Sequence, residues 1–542
     1  MTKPLAQATP STFDESESIM EFPVGDSDFK SIRKGSFYYV DKTEYLRTLI
    51  KEGKYYFLSR PRRFGKSLLV STLQYLFEGE KELFKDLYIY DNWEWSQKYF
   101  VINISFGGKC RTPKFIEKRI TNHLKKATKK AGLKVSDYKG LEPSDFLDSL
   151  LSDLHQKTGQ EVVLLIDEYD RPILDVLDDK KAAAANEECL RDFYSVIKDC
   201  NDDLRFVFVT GITMFSKATI FSGLNNLKDI SLRPKYGAIC GYTDKEIDEV
   251  FAKEMTELDR DKIRRWYNGY NWLGEKVYNP LNVMSLFETK RFKDWWYQSS
   301  VPKYLYSFIK NKQVSIKDVA HGVIDEKKFS IFDPEDLTVE ALLFQSGYLT
   351  IDQEIIDGYR TWYRLKYPNF EVQQYLVDGI LDHITDGEIT VSDSKKLVAS
   401  LAKNNFKGFV VTLNACLTGI PYQWHKYDLA SYEAWYASLL YMGFRLLDVD
   451  LRVEESSSHG RSDMVLLEEK QAFVFEFKVV NSAAGKDKAV TAAIKQIEDK
   501  GYAKKYMDQE QDQKVEAVYA IALVFGKKEK NVVGWKAKAL LS

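Results

Sequence analysis

With 542 residues, 44% apolar and 14% aromatic, the chain holds hydrophobic material for about two to four cores rather than one. Its 78 basic and 80 acidic side chains leave a net charge of -2, so no global field draws it to nucleic acid and any such site must be local. Five scattered cysteines with no C-x-x-C pair speak for free thiols in a reducing compartment, the cytoplasm, and against zinc, and the apolar runs are strand-sized, which excludes a membrane span.

Residues 1–20, rich in Ser, Thr, Pro and acids and lacking an apolar leader core, read as a mobile tail. Phe22–Gly25 opens the folded part, and Phe37–Thr43 predicts a short strand running into a helix capped by Asp41 or Thr43. Lys54–Leu58 is an aromatic and apolar run of strand length. Ser59–Ser67 follows, reading Ser-Arg-Pro-Arg-Arg-Phe-Gly-Lys-Ser, and then a helix with apolar positions 69, 73, 76 and 77. Strand, loop and helix are the context of a P-loop, in which Gly65 and the first helical turn leave backbone N–H groups to hold an anion. Lys66 would reach the β/γ-phosphates and the Ser67 hydroxyl would ligate Mg²⁺. Arg60 stands where the consensus has glycine, and with Arg62 and Arg63 it keeps the loop cationic.

Phe100–Phe106 is a strong strand, and Thr112–Lys130 and Ser144–Gly159 read as helices. Glu161–Glu168 is a nearly unbroken Val/Leu/Ile run ending in two acids, the Walker B pattern, with Asp167 placed to hold Mg²⁺ through water and Glu168 to polarise the attacking water. Residues 181–200 place Leu190, Phe193, Val196 and Ile197 on one helical face, and Leu204–Thr210 is the next buried strand. Thr210 is either a sensor of the γ-phosphate or a plain strand-ending turn. Alternation of this kind predicts a parallel sheet covered by helices. A strand inserted between the P-loop and Walker B strands, together with Glu168, suggests the AAA-like division of P-loop ATPases.

The pattern changes near residue 240. Gly241–Glu246 caps a helix, Trp266–Trp272 and Val277–Pro280 are aromatic turns, and 281–311, with Trp295 and Trp296, reads as helical. Leu342–Ile351 and Tyr363–Asn369 outline a helix feeding a hairpin, winged-helix-like, whose ordinary role is an ATPase lid and whose other role is a DNA-contacting wing.

Toward the C-terminus, Gly460–Leu467 and Gln471–Lys478 read as strands carrying Asp463 and Glu476-Phe-Lys478. Side chains two apart on a strand share a face at about 6.6 Å, so Glu476 and Lys478 point the same way and Asp463 joins from next door. Two carboxylates beside a lysine make a divalent-metal site that activates water, as phosphodiester cleavage requires. Ser431–Leu440 is a helix setting Glu433 among apolar neighbours, and Lys488–Tyr506 is a helix bearing Gln496.

The ordered motifs FPVG, YYVDKT, SRPRRFGKS, LLIDEYDRPI, VTGIT, YNGYNW, YNP, LFQSGYLTI and YPNFEV, followed by GRSD, EFK and QI, span about 21–510. In these the chain resembles the predicted AAA-ATPase-like proteins with a C-terminal PD-(D/E)XK nuclease domain, whose loop also reads SRPRRFGKS. The resemblance implies an α/β protein: a tail (1–20), an AAA-like domain (21–240), a helical and winged-helix-like middle (241–385), a helical connector (386–420) and a restriction-endonuclease-like domain (421–542). It carries Lys66, Ser67, Asp167 and Glu168 over as the nucleotide site, and Glu433, Asp463, Glu476, Lys478 and Gln496 as the nuclease site. Arg63, Gly65 and Thr210 join the nucleotide contacts on the reading above. ATP and Mg²⁺ are the expected cofactors and DNA or RNA the expected partner, with self-assembly left open. The competing expectation is a nucleotide-dependent switch whose nuclease-like domain only binds nucleic acid or a partner.

Overall fold

The computed structural model describes residues 20–541 apart from 178, 215–219, 222–223, 225, 296–321, 331–337, 386–388, 420–432, 448, 458–459 and 508–514. Two compact units divide the chain, 1–295 with 324–364, and 296–323 with 365–542.

The first unit is built on five parallel strands, β1 (Tyr55–Ser59), β2 (Val101–Ser105), β3 (Val162–Asp167), β4 (Leu204–Gly211) and β5 (Lys228–Asp229), in the order β2-β3-β4-β1-β5. Every residue of β1 and β3 is buried, as runs covered on both faces must be. Helices α1 (Lys66–Phe77), α2 (Pro113–Lys130), α3 (Pro143–Thr158) and α4 (Lys180–Asp199) supply the cover. The strand that lies spatially between the P-loop and Walker B strands is β4. The segment that separates them in sequence forms β2, at the edge beyond β3.

The strand expected over 37–43 is absent. Phe37 makes an isolated bridge to Glu21, and the helix begins at Thr43. Asp41 supplies the cap, its Oδ1 accepting from the Thr43 N–H at 2.8 Å, while the buried Thr43 hydroxyl accepts from Ile89 N–H. Thr243 and Glu246 form a reciprocal capping box. Helices α5 (Arg260–Tyr267) and α6 (Pro280–Thr289) pack Ile263, Tyr267, Val283 and Phe287 against Val40, Ile247 and Phe251. The helix expected to reach 311 stops at Thr289, where Lys290 takes a left-handed φ of 54°; Trp296 lies outside the described residues. Beyond come β6 (Val323–Asp325), α7 (Val339–Ser346) and the hairpin β7 (Thr350–Asp357) to β8 (Arg360–Lys366), the helix-then-hairpin expected there.

The second unit has a mixed five-stranded sheet of β9 (Asp450–Ser457), β10 (Gly460–Glu468), β11 (Gln471–Val480), β12 (Ala517–Gly526) and β13 (Val532–Leu541), in the order β13-β12-β11-β10-β9. Only β11 and β12 run parallel. Helix α8 (Glu433–Arg445) brings Phe444 within 6.1 Å of Phe475, where Phe409 joins it. Helix α9 (Lys486–Asp499) buries Val490, Ile494 and Ile497 with Val474, Val518 and Val524. The helix expected through Tyr506 breaks at Gly501, φ +62°, where Tyr502 N–H turns back to Ile497 O. This lets Tyr502 and Tyr506 fold into the same core.

Candidate active sites

At the first site, β1 ends at Ser59 and α1 starts at Lys66 with Gly65 as its cap residue and no side chain satisfying its first N–H groups, the arrangement that accepts a phosphate. Gly65 has φ +86° in open space, so backbone conformation and not crowding requires glycine there. Arg63 is also left-handed, φ 67°, and exposed. Lys66 is buried and its ammonium donates to Arg60 O at 2.9 Å and Pro61 O at 2.8 Å. Burial pushes its pKa down, against the pull of Asp167.

The Ser67 hydroxyl donates to Asp167 Oδ2 at 2.6 Å, so the two motifs converge on one spot. Asp167 Oδ1 is buried without a hydrogen-bond partner, and burial holds this carboxyl above the usual range although Ser67 and Lys66 oppose the shift. Glu168 takes a left-handed φ of 56°, and its Oε2 accepts from Arg171 Nη1 at 2.9 Å. Gly107 lies against it: a Cβ there would come within 3.2 Å of Glu168 Oε2 and 3.8 Å of Arg119 Nη2. Thr210 pairs with Leu58 of β1, and its buried hydroxyl has no hydrogen-bond partner.

Two features escaped the sequence reading. Asp170 is fully buried and its Oδ2 accepts from Ile212 N–H, Thr213 N–H and the Thr213 hydroxyl, fixing the loop after β4. Gly211 makes room for it, since a Cβ would fall 2.7 Å from Asp170 Oδ1. The four-residue run Asp167-Glu168-Tyr169-Asp170 at a strand exit was the available signal. Arg60, in turn, is not an exposed cation of the loop. Its guanidinium is buried, donating to Ser59 O, Ser231 O and Tyr236 O at 2.8–3.0 Å and standing 4.2 Å from the Trp272 ring centroid. Burial lowers its pKa to about 10, which leaves it charged.

At the second site, the pairing Met464↔Phe475 puts Asp463 next to Glu476 across β10 and β11. Asp463 Oδ2 accepts from Phe477 N–H at 2.8 Å, and Lys478 Nζ donates to Glu476 Oε1 at 2.8 Å. Tyr436 of α8 stacks on Phe525 at 4.0 Å, which brings Glu433, at the head of that helix, to 3.8 Å from Lys478 Nζ. Glu476 is 1% exposed and its Oε2 has no hydrogen-bond partner. Burial, then the charge of Asp463, raises its pKa to about 7. Burial pulls the Lys478 ammonium down, but Glu476, Glu433 and Asp463 together hold it up. The hydrogen bonds of the described residues do not bring Gln496 into this group; it lies half-buried on α9 beside Ile497.

Comparisons with known proteins cover both regions of the chain. The family model described as Predicted AAA-ATPase matches residues 23–221, and that of the PD-(D/E)XK nuclease superfamily matches 431–535. An uncharacterized protein in the vnfD 5' region of Azotobacter chroococcum mcd 1 is 39% identical over 528 residues, 96% of this chain and 100% of that one. The chain belongs to the predicted AAA-ATPases that carry a C-terminal PD-(D/E)XK domain. In this family member the residues expected to contact nucleotide fall within the first matched region and the acid–lysine group within the second.

Among the described residues no three His, Cys, Asp or Glu side chains gather into a metal cage. A two-carboxylate site nonetheless suits Mg²⁺, which keeps several waters and takes one or two carboxylates plus phosphate oxygens. The unpartnered Glu476 Oε2 and Asp167 Oδ1 are buried acceptors of the kind that fits a cation. No helix among the described residues is long and apolar enough to cross a membrane.

Proposed function

We propose that the protein binds and hydrolyses ATP and couples this to Mg²⁺-dependent cleavage of nucleic-acid phosphodiesters. The observation that carries the reading is the buried, unpartnered Glu476 Oε2 beside Asp463, with Lys478 2.8 Å from the other oxygen of the same carboxylate. In this reading Asp463 and Glu476 would hold Mg²⁺, which when bound polarises the phosphoryl oxygen and makes water more acidic. Lys478, donating to Glu476, orients the attacking water, and Glu433 keeps the lysine charged and aimed.

At the nucleotide site the free N–H groups of α1 and the Lys66 ammonium take the phosphates, Ser67 and Asp167 hold Mg²⁺, and Glu168 orients the attacking water once released from Arg171. Lys478→Ala should abolish cleavage in a mixed DNA and RNA panel while sparing ATP binding. Cleavage that persists in that variant refutes the nuclease assignment.

A second reading, a nucleotide-dependent switch whose C-terminal domain binds without cutting, is favoured by the net charge of -2 and by a Lys478 engaged by two carboxylates. A protein that binds ATP yet cuts none of the panel with Mg²⁺ selects it.

A further inference from the structure

The segment Tyr270-Asn271-Trp272 takes no part in either chemistry, yet it touches the phosphate loop on one side and the helix–hairpin α7-β7-β8 on the other. On the loop side, Phe64, 1% exposed and next to Gly65, meets Tyr270 edge-to-face at 4.7 Å and Trp272 at 5.1 Å, and the Arg60 guanidinium lies on the Trp272 ring. On the hairpin side, Tyr270 Oη donates to Gly347 O at 3.1 Å. Asn271 N–H donates to the Thr350 hydroxyl at 2.7 Å, that hydroxyl donates back to Asn271 O at 3.1 Å, and Asn271 Nδ2 donates to Ile351 O at 3.1 Å.

A second attachment runs from the loop after β4. Asp170 fixes Thr213, and Met214 N–H donates to Gln345 Oε1 on α7 at 3.1 Å. The helix–hairpin is therefore fastened both to the loop before Lys66, through Tyr270 and Trp272, and to the loop after β4. Its far end is bare: Ile356 is 72% and Tyr359 89% exposed at the hairpin tip.

We propose that the Tyr270–Trp272 turn is a transmission element, with Arg60 and Phe64 as positioning residues, through which nucleotide in the phosphate loop is read out at the β7–β8 hairpin. The proposal rests on the reading that the loop binds nucleotide. The Lys66 ammonium now donates to Arg60 O and Pro61 O. A polyphosphate competes for those protons, and the peptide that loses them belongs to the residue whose side chain is clamped on Trp272. Edge-to-face aromatic contacts and a buried cation–π contact are directional, so a shift of the loop is passed to the turn rather than absorbed. Two reciprocal hydrogen bonds at Thr350 then pass it to β7.

The test is hydrogen exchange of residues 350–364 in the full chain, with and without Mg²⁺ and a slowly hydrolysed ATP analogue whose Kd is measured in parallel. Exchange in the hairpin should change by about fivefold or more, the lower end of ordinary coupling between sites. Thr350→Val, which removes both hydroxyl bonds at nearly constant volume, should shrink that change at least by half while the nucleotide Kd stays within about threefold. Trp272→Phe, which keeps an aromatic face but weakens the cation contact, should give an intermediate response. A nucleotide that binds without altering hairpin exchange overturns the transmission role alone. A chain that binds no nucleotide overturns the role together with the reading beneath it.

Discussion

The Ser67 hydroxyl donates to Asp167 Oδ2 at 2.6 Å, joining two residues a hundred positions apart at the mouth of a parallel sheet. The bond exists because β1 and β3 flank β4 and run the same way, so the loop after one and the carboxylate ending the other meet at the same edge.

Changing either partner should disable the site while moving stability in opposite directions. Ser67→Ala leaves a buried carboxylate with neither side-chain oxygen paired, at a cost of about 1–3 kcal/mol. Asp167→Asn removes a charge that burial already disfavours and retains an oxygen that accepts from Ser67, so stability holds or rises. Both variants should lose Mg²⁺-dependent ATP hydrolysis. Urea unfolding beside phosphate release checks the pair, and equal destabilisation by both would contradict the account.

Arg60→Gly restores the general P-loop consensus and should nevertheless harm the protein. The substitution strips donors from the buried Ser231 and Tyr236 carbonyls and removes the cation from the Trp272 face. A loss of about 2–4 kcal/mol is expected, read as a lower urea midpoint with unchanged slope, and ATP affinity should not improve.

Much of the frame was legible because it is written locally. The Val/Leu/Ile run of β3, the loop before Lys66 and the alternating Glu476 and Lys478 are each decided within a few residues. What escaped depends on distant partners. Arg60 looks like a loop cation until Ser231, Tyr236 and Trp272 close over it. The edge position of β2 is a matter of topology, to which the hydrophobicity of Val101–Ser105 is indifferent. Gly501, inside a helical pattern, became a stop because Tyr502 gains more by turning into the core than by continuing along α9.

Substrate binding should depend on lysines beside the strand that carries Lys478. Lys527 N–H donates to Val480 O at 2.9 Å, which places the turn Lys527-Lys528-Glu529-Lys530 two residues beyond Lys478 along β11. Reversing Lys527, Lys528 and Lys530 to Glu should weaken binding of labelled duplexes in EDTA, where no cutting occurs. The slope of log K against log salt should flatten by about 2–3, at roughly 0.9 per lost phosphate contact. An unchanged slope would place the nucleic-acid backbone elsewhere.

Glu476 should make both stability and metal response depend on pH. Its carboxyl rises from 4.5 to about 7 because it is buried beside Asp463, so between those values the folded chain keeps a proton that the unfolded chain has released. That contribution is fully present below pH 4.5 and is lost as pH rises through 7, leaving an unfavourable buried charge worth about 3 kcal/mol. Glu476→Gln carries no such charge. Its Tm should exceed that of the wild type at pH 8 and converge with it near pH 5. Because Mg²⁺ competes with the proton, added Mg²⁺ should raise the wild-type Tm more at pH 8 than at pH 6, and this difference should vanish in the variant along with cleavage. Parallel Tm profiles for the two proteins from pH 5 to 8 would mean that the carboxyl is ionised throughout, and the buried acid pair would then need another source of compensation.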